Sequence, residues 1–203
     1  MNLPNSISLA RLVLTVVFIT AVSFPGPAGY GIALAAFVAG TISDWLDGYL
    51  ARRLGLVTSL GKLLDPIADK VLVAAAFVFL TPRFCPVWAT VLILTREFLV
   101  TGLRQIAVEK GEVIAAAWSG KWKTGFQLAF CITALLWLFL QARVEAAGPA
   151  GPGDPSFLAR LSDPGGWLQP LLLWLAVGLT GLSGLHYLWN GRGILRDATR
   201  GTA

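Results

Sequence analysis

Apolar segments about as long as a bilayer core is thick recur six times along the chain. A helix needs about 20 predominantly apolar residues to cross that core. Such segments span membranes as helices because a helix satisfies its own backbone hydrogen bonds. We therefore predict an all-α integral membrane protein with six transmembrane helices. The predicted spans cover residues 8–24, 29–51, 63–81, 87–107, 120–141 and 167–190.

Charged residues are too few for an ordinary soluble domain. They make up 13% of the 203 residues, and 56% of the residues are hydrophobic, whereas a soluble domain carries roughly 25% charged residues. The rival interpretation is an unusually apolar soluble helical protein, and the long apolar runs argue against it. We predict a single membrane domain over 1–203, with a loop at 145–166 that contains a short interfacial helix at 156–161.

Basic residues concentrate at one set of span ends. Cytoplasmic loops of membrane proteins carry an excess of Lys and Arg, so this side is predicted to be cytoplasmic and to hold both termini. The net charge of +5 is then explained by orientation and anionic headgroups, and no nucleic acid partner is expected. The predicted location is the cell membrane, crossed several times. The inner ends hold Arg11, Arg52, Arg53, Lys62, Lys70, Arg104, Lys110, Lys121, Lys123, Arg192, Arg196 and Arg200, and the outer loops hold Arg83, Arg143 and Arg160.

Four aspartates flank the short connection between the second and third predicted spans: Asp44, Asp47, Asp65 and Asp69. The first two are three residues apart and the last two are four apart, so each pair lies on one helix face. A short connection makes the two helices neighbours. The four carboxylates are therefore predicted to meet in one pocket, just below the cytoplasmic membrane surface.

Four carboxylates in such a pocket need positive charge. One carboxylate at that depth costs about 2.5–3.5 kcal/mol on insertion scales, and four repel one another. Hard divalent cations prefer oxygen ligands, and a pair of them can hold a pyrophosphate. Two other interpretations stay open. The aspartates could form a solvated helix-end network with Arg52, Arg53, Lys62 and Lys70, or they could be ion ligands of a divalent-cation transporter.

The stretch from 44 to 69 carries the resemblance to a known family. It reads D-x2-D-G-x2-A-R-x8-G-x3-D-x3-D and resembles the signature of the CDP-alcohol phosphatidyltransferases at every fixed position. The resemblance implies six transmembrane helices, two divalent cations (Mg²⁺ or Mn²⁺), a cavity open to the cytoplasm and a homodimer. It also implies transfer of a phosphatidyl group from a CDP-linked lipid to an alcohol, with release of CMP. The fixed positions are Asp44, Asp47, Gly48, Ala51, Arg52, Gly61, Asp65 and Asp69.

Further segments resemble the members of the family whose donor is CDP-diacylglycerol and whose acceptor is glycerol 3-phosphate. They are "NLPNSISLARL" (2–12), "LDPIADK" (64–70), "REFLVTGLR" (96–104) and "GKWKTGFQ" (120–127). Inositol phosphate, serine and phosphatidylglycerol remain alternative acceptors. Membrane lipids are the expected surroundings.

The resemblance also implies roles for the signature residues. Asp44, Asp47, Asp65 and Asp69 are expected to bind the cations, and Asp69 is the expected general base. The CDP site is expected to include Asp44, Gly48, Ala51, Arg52 and Gly61.

A dianionic acceptor needs a basic pocket of its own. We predict that this pocket is formed by Arg96, Arg104, Lys121 and Lys123. Arg96 lies within a predicted span, where an unpaired arginine is costly. Arg104 lies near the same helix face, and the two lysines lie at the inner start of the fifth span. The two lysines could instead be positive-inside anchors, and Arg96 could be paired with Glu97 or with another buried acid. Arg11 could contact substrate or anchor headgroups.

Overall fold

The structure is a computed structural model that describes the backbone of residues 3–54, 59–109, 118–148 and 157–200. The side chains of some residues inside these ranges lie outside the description. They are those of residues 3–8, 44–54, 59–67, 69, 109, 118, 119, 121 and 190–200.

The described backbone is helical and contains no strand. Each of the six long helices includes all or nearly all of one predicted apolar segment, and a short helix lies within the predicted 156–161 segment. The all-helical fold class and the positions of these seven described helices were therefore predicted correctly. The helices are α1 (Leu3–Val22), α2 (Pro27–Leu54), α3 (Ser59–Leu80), α4 (Val87–Glu109), α5 (Trp118–Ala147), α6 (Phe157–Leu161) and α7 (Leu168–Arg200).

The described connections among the first four helices contain proline or glycine. Gly26 lies between α1 and α2 with a φ of 142°, a conformation that favours glycine, and its carbonyl accepts the Tyr30 N–H at 3.0 Å. Between α3 and α4, the Thr81 and Thr90 hydroxyl groups are 2.6 Å apart and bind each other. These turns place α1 beside α2 and α3 beside α4.

Helix α5 lies at the centre of the packing. It contacts α2, α3, α6 and α7, while α1 packs against α2 and α3, and α4 packs against α7 and α3. The fully buried rings of Phe77 on α3 and Phe130 on α5 are stacked, with their centres 5.7 Å apart. The core therefore fixes α3, α4, α5 and α7 relative to one another, and these four helices carry the polar site described below.

The outer faces of the helices are apolar. Val16, Leu182 and Leu185 are each more than 60% exposed, which is unfavourable in water and expected in lipid. Among the described residues, two helical segments, Trp122–Ala147 and Leu168–Trp189, are long and apolar enough to cross a membrane. Shorter apolar stretches lie at Leu9–Val22, Pro27–Ser43 and Lys70–Leu80. These features favour a membrane protein, and the crossing by all six long helices stays a prediction.

Candidate active site

The four aspartates lie on consecutive helices that contact each other. Asp44 and Asp47 are in the C-terminal part of α2, and Asp65 and Asp69 are in the N-terminal half of α3. This backbone arrangement fits the predicted pocket. The side chains of all four lie outside the description, as do those of Ala51 and Arg52 and the surroundings of Gly48 and Gly61. Their convergence therefore stays a prediction. Among the side chains that are described, no group of three or more His, Cys, Asp and Glu could hold a metal ion.

The described part of the site begins one residue after Asp69. The Lys70 ammonium donates to Oε2 of Glu97 on α4, at 3.4 Å. The Arg96 guanidinium lies 3.4 Å from Oε1 of the same carboxylate, and the Lys123 ammonium on α5 donates to that oxygen as well. We call these four residues the Glu97 cluster. It joins α3, α4 and α5 through one carboxylate.

The Glu97 cluster is largely buried and carries excess positive charge. The side chain of Lys123 is 2% exposed, Arg96 is 12% and Glu97 is 13%. A buried ion needs a partner, because losing its hydration is costly. Glu97 carries one negative charge, whereas Arg96 and Lys123 together carry two positive charges. The remaining positive charge makes this region attractive to an anion.

A cavity of about 250 Å³ opens beside the Glu97 cluster. Its wall includes Arg104, which is exposed, whereas Lys123 is buried. The structure therefore brings together three residues of the predicted acceptor pocket: Arg96, Arg104 and Lys123. The side chain of the fourth, Lys121, lies outside the description. The cavity is lined by Lys70, Arg96, Glu97, Val100, Thr101, Arg104, Gly120, Lys123, Thr124 and Tyr187.

Helix α7 supports Arg96 from the other side. The ring of Tyr187 faces the guanidinium, with 5.4 Å between the guanidinium carbon and the ring centre. At Gly184, an added Cβ would lie 3.2 Å from Cγ of Arg96. Nε of Arg96 is buried and has no hydrogen-bond partner among the described residues. The Arg96 side chain is therefore held between α4 and α7 by packing and by one ring face.

The positions of the basic residues bear on the alternative roles predicted for them. Arg96 does pair with Glu97, and it also lines the cavity, so the two interpretations are compatible. Lys123 is buried, which does not fit a simple anchor for headgroups. Arg11 is 4% exposed and likewise lies inside the protein.

Sequence reasoning did not assign Glu97, Lys70 or Tyr187 to the site. Glu97 was considered only as a partner of Arg96. An acid in an apolar helical segment is itself a signal, because ionisable residues in spans usually pair and mark functional positions. Tyr187 gave no such signal, since an aromatic residue in α7 is ordinary core or interface composition.

Comparison with known proteins decides the family. The profile of the CDP-alcohol phosphatidyltransferases matches residues 1–182. The chain belongs to this family. The resemblance seen in the 44–69 signature is confirmed, and the chain is a phosphatidyltransferase.

Relatives within the family are similar over nearly their full length. The CDP-diacylglycerol–glycerol-3-phosphate 3-phosphatidyltransferase of Bacillus subtilis is 37% identical, over 92% of this chain and 93% of its own. The protein of the same name from Haemophilus influenzae is 32% identical, over 97% and 96%. The one from Escherichia coli is 36% identical, over 73% and 84%.

Proposed function

We propose that the protein transfers the phosphatidyl group from CDP-diacylglycerol to glycerol 3-phosphate, giving phosphatidylglycerophosphate and CMP. The relatives named for this reaction support the substrates. The structural observation that carries the proposal is the cationic cavity next to Lys70, because Lys70 directly follows Asp69 in α3. The proposed phosphate site then adjoins α3, which carries Asp65 and Asp69 of the 44–69 signature.

The cavity is suited to the phosphate of the acceptor. Arg104 at its exposed side can attract and orient the dianion, and Arg96 can present a fork of N–H donors to two oxygens. Lys123 supplies a compact positive charge from α5. Lys121 precedes it by two residues and is proposed to act with it. An uncharged acceptor would leave the buried cations Arg96 and Lys123 without such an anion.

The aspartates are proposed to hold two divalent cations, Mg²⁺ or Mn²⁺. The donor set fits, because Asp44, Asp47, Asp65 and Asp69 offer only carboxylate oxygens, the ligands that these ions prefer. When bound, the ions neutralise the CDP pyrophosphate and stabilise the departing CMP. The residues of the chain supply the ligands and fix their spacing through α2 and α3.

The chain's own residues then account for the transfer. Asp69 removes the proton of the acceptor hydroxyl, and the oxygen attacks the β-phosphorus as the bond to the CMP oxygen breaks. Because cations near a carboxylate lower its basicity, proton removal accompanies the attack. Gly48, Ala51, Arg52 and Gly61 shape the CMP site, and Arg52 binds phosphate. An acceptor phosphate in the cavity directs the rest of that molecule towards α3.

We further propose that all six long helices cross the cell membrane, with both termini and the active site on the cytoplasmic side. The Lys and Arg distribution supports this orientation. The chain would form one domain over 1–203 and act as a homodimer, which the family resemblance supports. Attachment of a bulky reagent to a cysteine introduced at Ser6 or at Asp163, with Cys85 and Cys131 replaced by alanine, would test the orientation. Only the Asp163→Cys variant should react from outside intact cells.

The decisive experiment gives purified enzyme CDP-diacylglycerol in detergent micelles and one labelled acceptor at a time. Glycerol 3-phosphate should yield labelled phosphatidylglycerophosphate and an equal amount of CMP. Inositol phosphate, serine and phosphatidylglycerol should give little product. Another lipid formed from another alcohol would overturn the acceptor assignment. Metal flux across vesicles without CMP release would favour a divalent-cation transporter instead.

A further inference from the structure

Resting on the proposed function, we propose that Glu97 is a positioning residue for the acceptor. Its carboxylate holds Lys123 and Arg96 at the cavity wall and thereby sets the affinity for the acceptor's phosphate. Replacing Glu97 should affect the CDP-diacylglycerol site less, because the residues proposed for that site lie on α2 and α3.

An acid in a cavity that binds an anion needs an explanation. The Glu97 carboxylate lines the same cavity as Arg104 and Lys123, and taken alone its charge repels a phosphate. A carboxylate in that place favours phosphate binding if the gain from orienting the cations exceeds the loss from repelling the phosphate. The geometry fits this role, because Lys70, Arg96 and Lys123 come from three helices and meet at this one group.

Lys123 depends most on Glu97. Its side chain is almost completely buried, and its ammonium donates to Oε1 of Glu97. Removing one partner of a buried ion pair leaves the other charge uncompensated. Without the carboxylate, the ammonium would move away or lose its proton, and in both cases the cavity wall loses a fixed positive charge.

Glu97 leaves N–H donors of Arg96 and Lys123 available for a ligand. An ammonium group has three N–H donors and a guanidinium has five, and the contacts with Glu97 use only part of them. Nε of Arg96 also has no hydrogen-bond partner among the described residues. The same carboxylate can therefore orient the cations while they bind phosphate oxygens.

The two possible roles of the carboxylate predict opposite changes in the KM for glycerol 3-phosphate when Glu97 is replaced by glutamine. If Glu97 acts only through its charge, then Glu97→Gln removes a repulsion and lowers the KM for glycerol 3-phosphate. If Glu97 positions the cations, the same isosteric change raises that KM, by at least about tenfold for a buried charge that loses its partner. The KM for CDP-diacylglycerol should stay within about twofold of wild type in the second case.

The experiment measures initial rates while each substrate is varied at saturating amounts of the other. Glu145→Gln is the matched control, because Glu145 is an exposed acid near the C-terminal end of α5, and both its KM values should match wild type. A lowered or unchanged acceptor KM in Glu97→Gln would overturn the inference. A general structural fault would lower the active fraction and leave both KM values unchanged, which also counts against it.

Two further variants test the dependence on Lys123. Lys123→Met should raise the acceptor KM by itself, and adding Glu97→Gln should raise it by less than about twofold more, because the two residues act as one unit. Independent, multiplying effects would contradict the positioning role. Glu97→Asp keeps the charge but shortens the reach, so its acceptor KM should lie between wild type and Glu97→Gln.

The outcome for wild type separates the two proposals. A wild-type enzyme that makes no product from glycerol 3-phosphate overturns the proposed function together with this inference. A wild-type enzyme that uses glycerol 3-phosphate, with an unchanged acceptor KM in Glu97→Gln, overturns the inference alone.

Discussion

The ring of Tyr187 on α7 faces the guanidinium of Arg96 on α4, with 5.4 Å between the guanidinium carbon and the ring centre. Tyr187 is 4% exposed, so the contact lies away from water. Cation–π contacts contribute about 0.5–1 kcal/mol at exposed sites and about 2 kcal/mol when desolvated. The last long helix therefore fixes a cation that the proposed acceptor site needs.

Tyr187→Leu should weaken acceptor binding, because it removes the ring face that holds Arg96. A loss of about 1–2 kcal/mol corresponds to a rise of about 5- to 30-fold in the KM for glycerol 3-phosphate. Tyr187→Phe keeps the ring and is the control, with a KM within about threefold of wild type. Equal effects of the two substitutions would show that the hydroxyl group, and not the ring, is the important feature.

The helical part of the fold could be predicted well because each helix is marked by its apolar segment. The ends were harder to predict. Helix α2 continues to Leu54, α5 to Ala147 and α7 to Arg200, beyond the predicted ends at 51, 141 and 190. A span predicted from hydropathy ends where polar residues begin. The helix itself can continue through Arg, Glu and Ala, which have good helix propensities.

The acceptor pocket was predictable only in part. Arg96 and Arg104 lie on one helix, and their spacing predicts that they lie near the same face. Lys123 could be predicted because a negatively charged acceptor needs further cations nearby. The contacts of Glu97 with Lys70 and Lys123 join positions 27 and 26 residues apart. Such pairs follow from how α3, α4 and α5 pack, and no local pattern encodes them.

Gly29→Ala should destabilise the protein. An added Cβ would meet the backbone carbonyl oxygen of Phe24 and would lie 2.8 Å from that of Ala21, and backbone atoms yield little. Overpacking of this kind typically costs about 1–3 kcal/mol, more than alanine gains over glycine in a helix. The unfolding midpoint in detergent should fall by several degrees.

Gly178→Ala is the matched control for that substitution. Gly178 lies in α7, and an added Cβ there would meet no heavy atom within 4 Å. The same change should leave the midpoint unchanged or raise it slightly, through helix propensity. A fall as large as that of Gly29→Ala would mean that glycine flexibility, rather than the close approach at Gly29, sets the stability.

Asp69→Asn should fold but lose nearly all turnover, because an amide does not accept the proton of the acceptor hydroxyl. A loss of about 10²–10⁴-fold in kcat is expected for a general base, measured as CMP release with glycerol 3-phosphate. Asp163→Asn is the control, since Asp163 lies in the turn between α6 and α7. Near-normal turnover of Asp69→Asn would show that its role as base is wrong.

Chelation by EDTA should abolish CMP release, and excess Mg²⁺ or Mn²⁺ should restore it. If the four aspartates share the proposed pocket, their carboxylates repel one another without bound cations. Ions that bind only the folded protein stabilise it increasingly as their concentration rises. EDTA should therefore also lower the unfolding midpoint of wild type. Asp65→Asn would reduce that repulsion and remove a proposed metal ligand, so the unfolding midpoint of this variant should respond less to EDTA. Turnover that persists at full rate in EDTA would contradict a catalytic role for divalent cations.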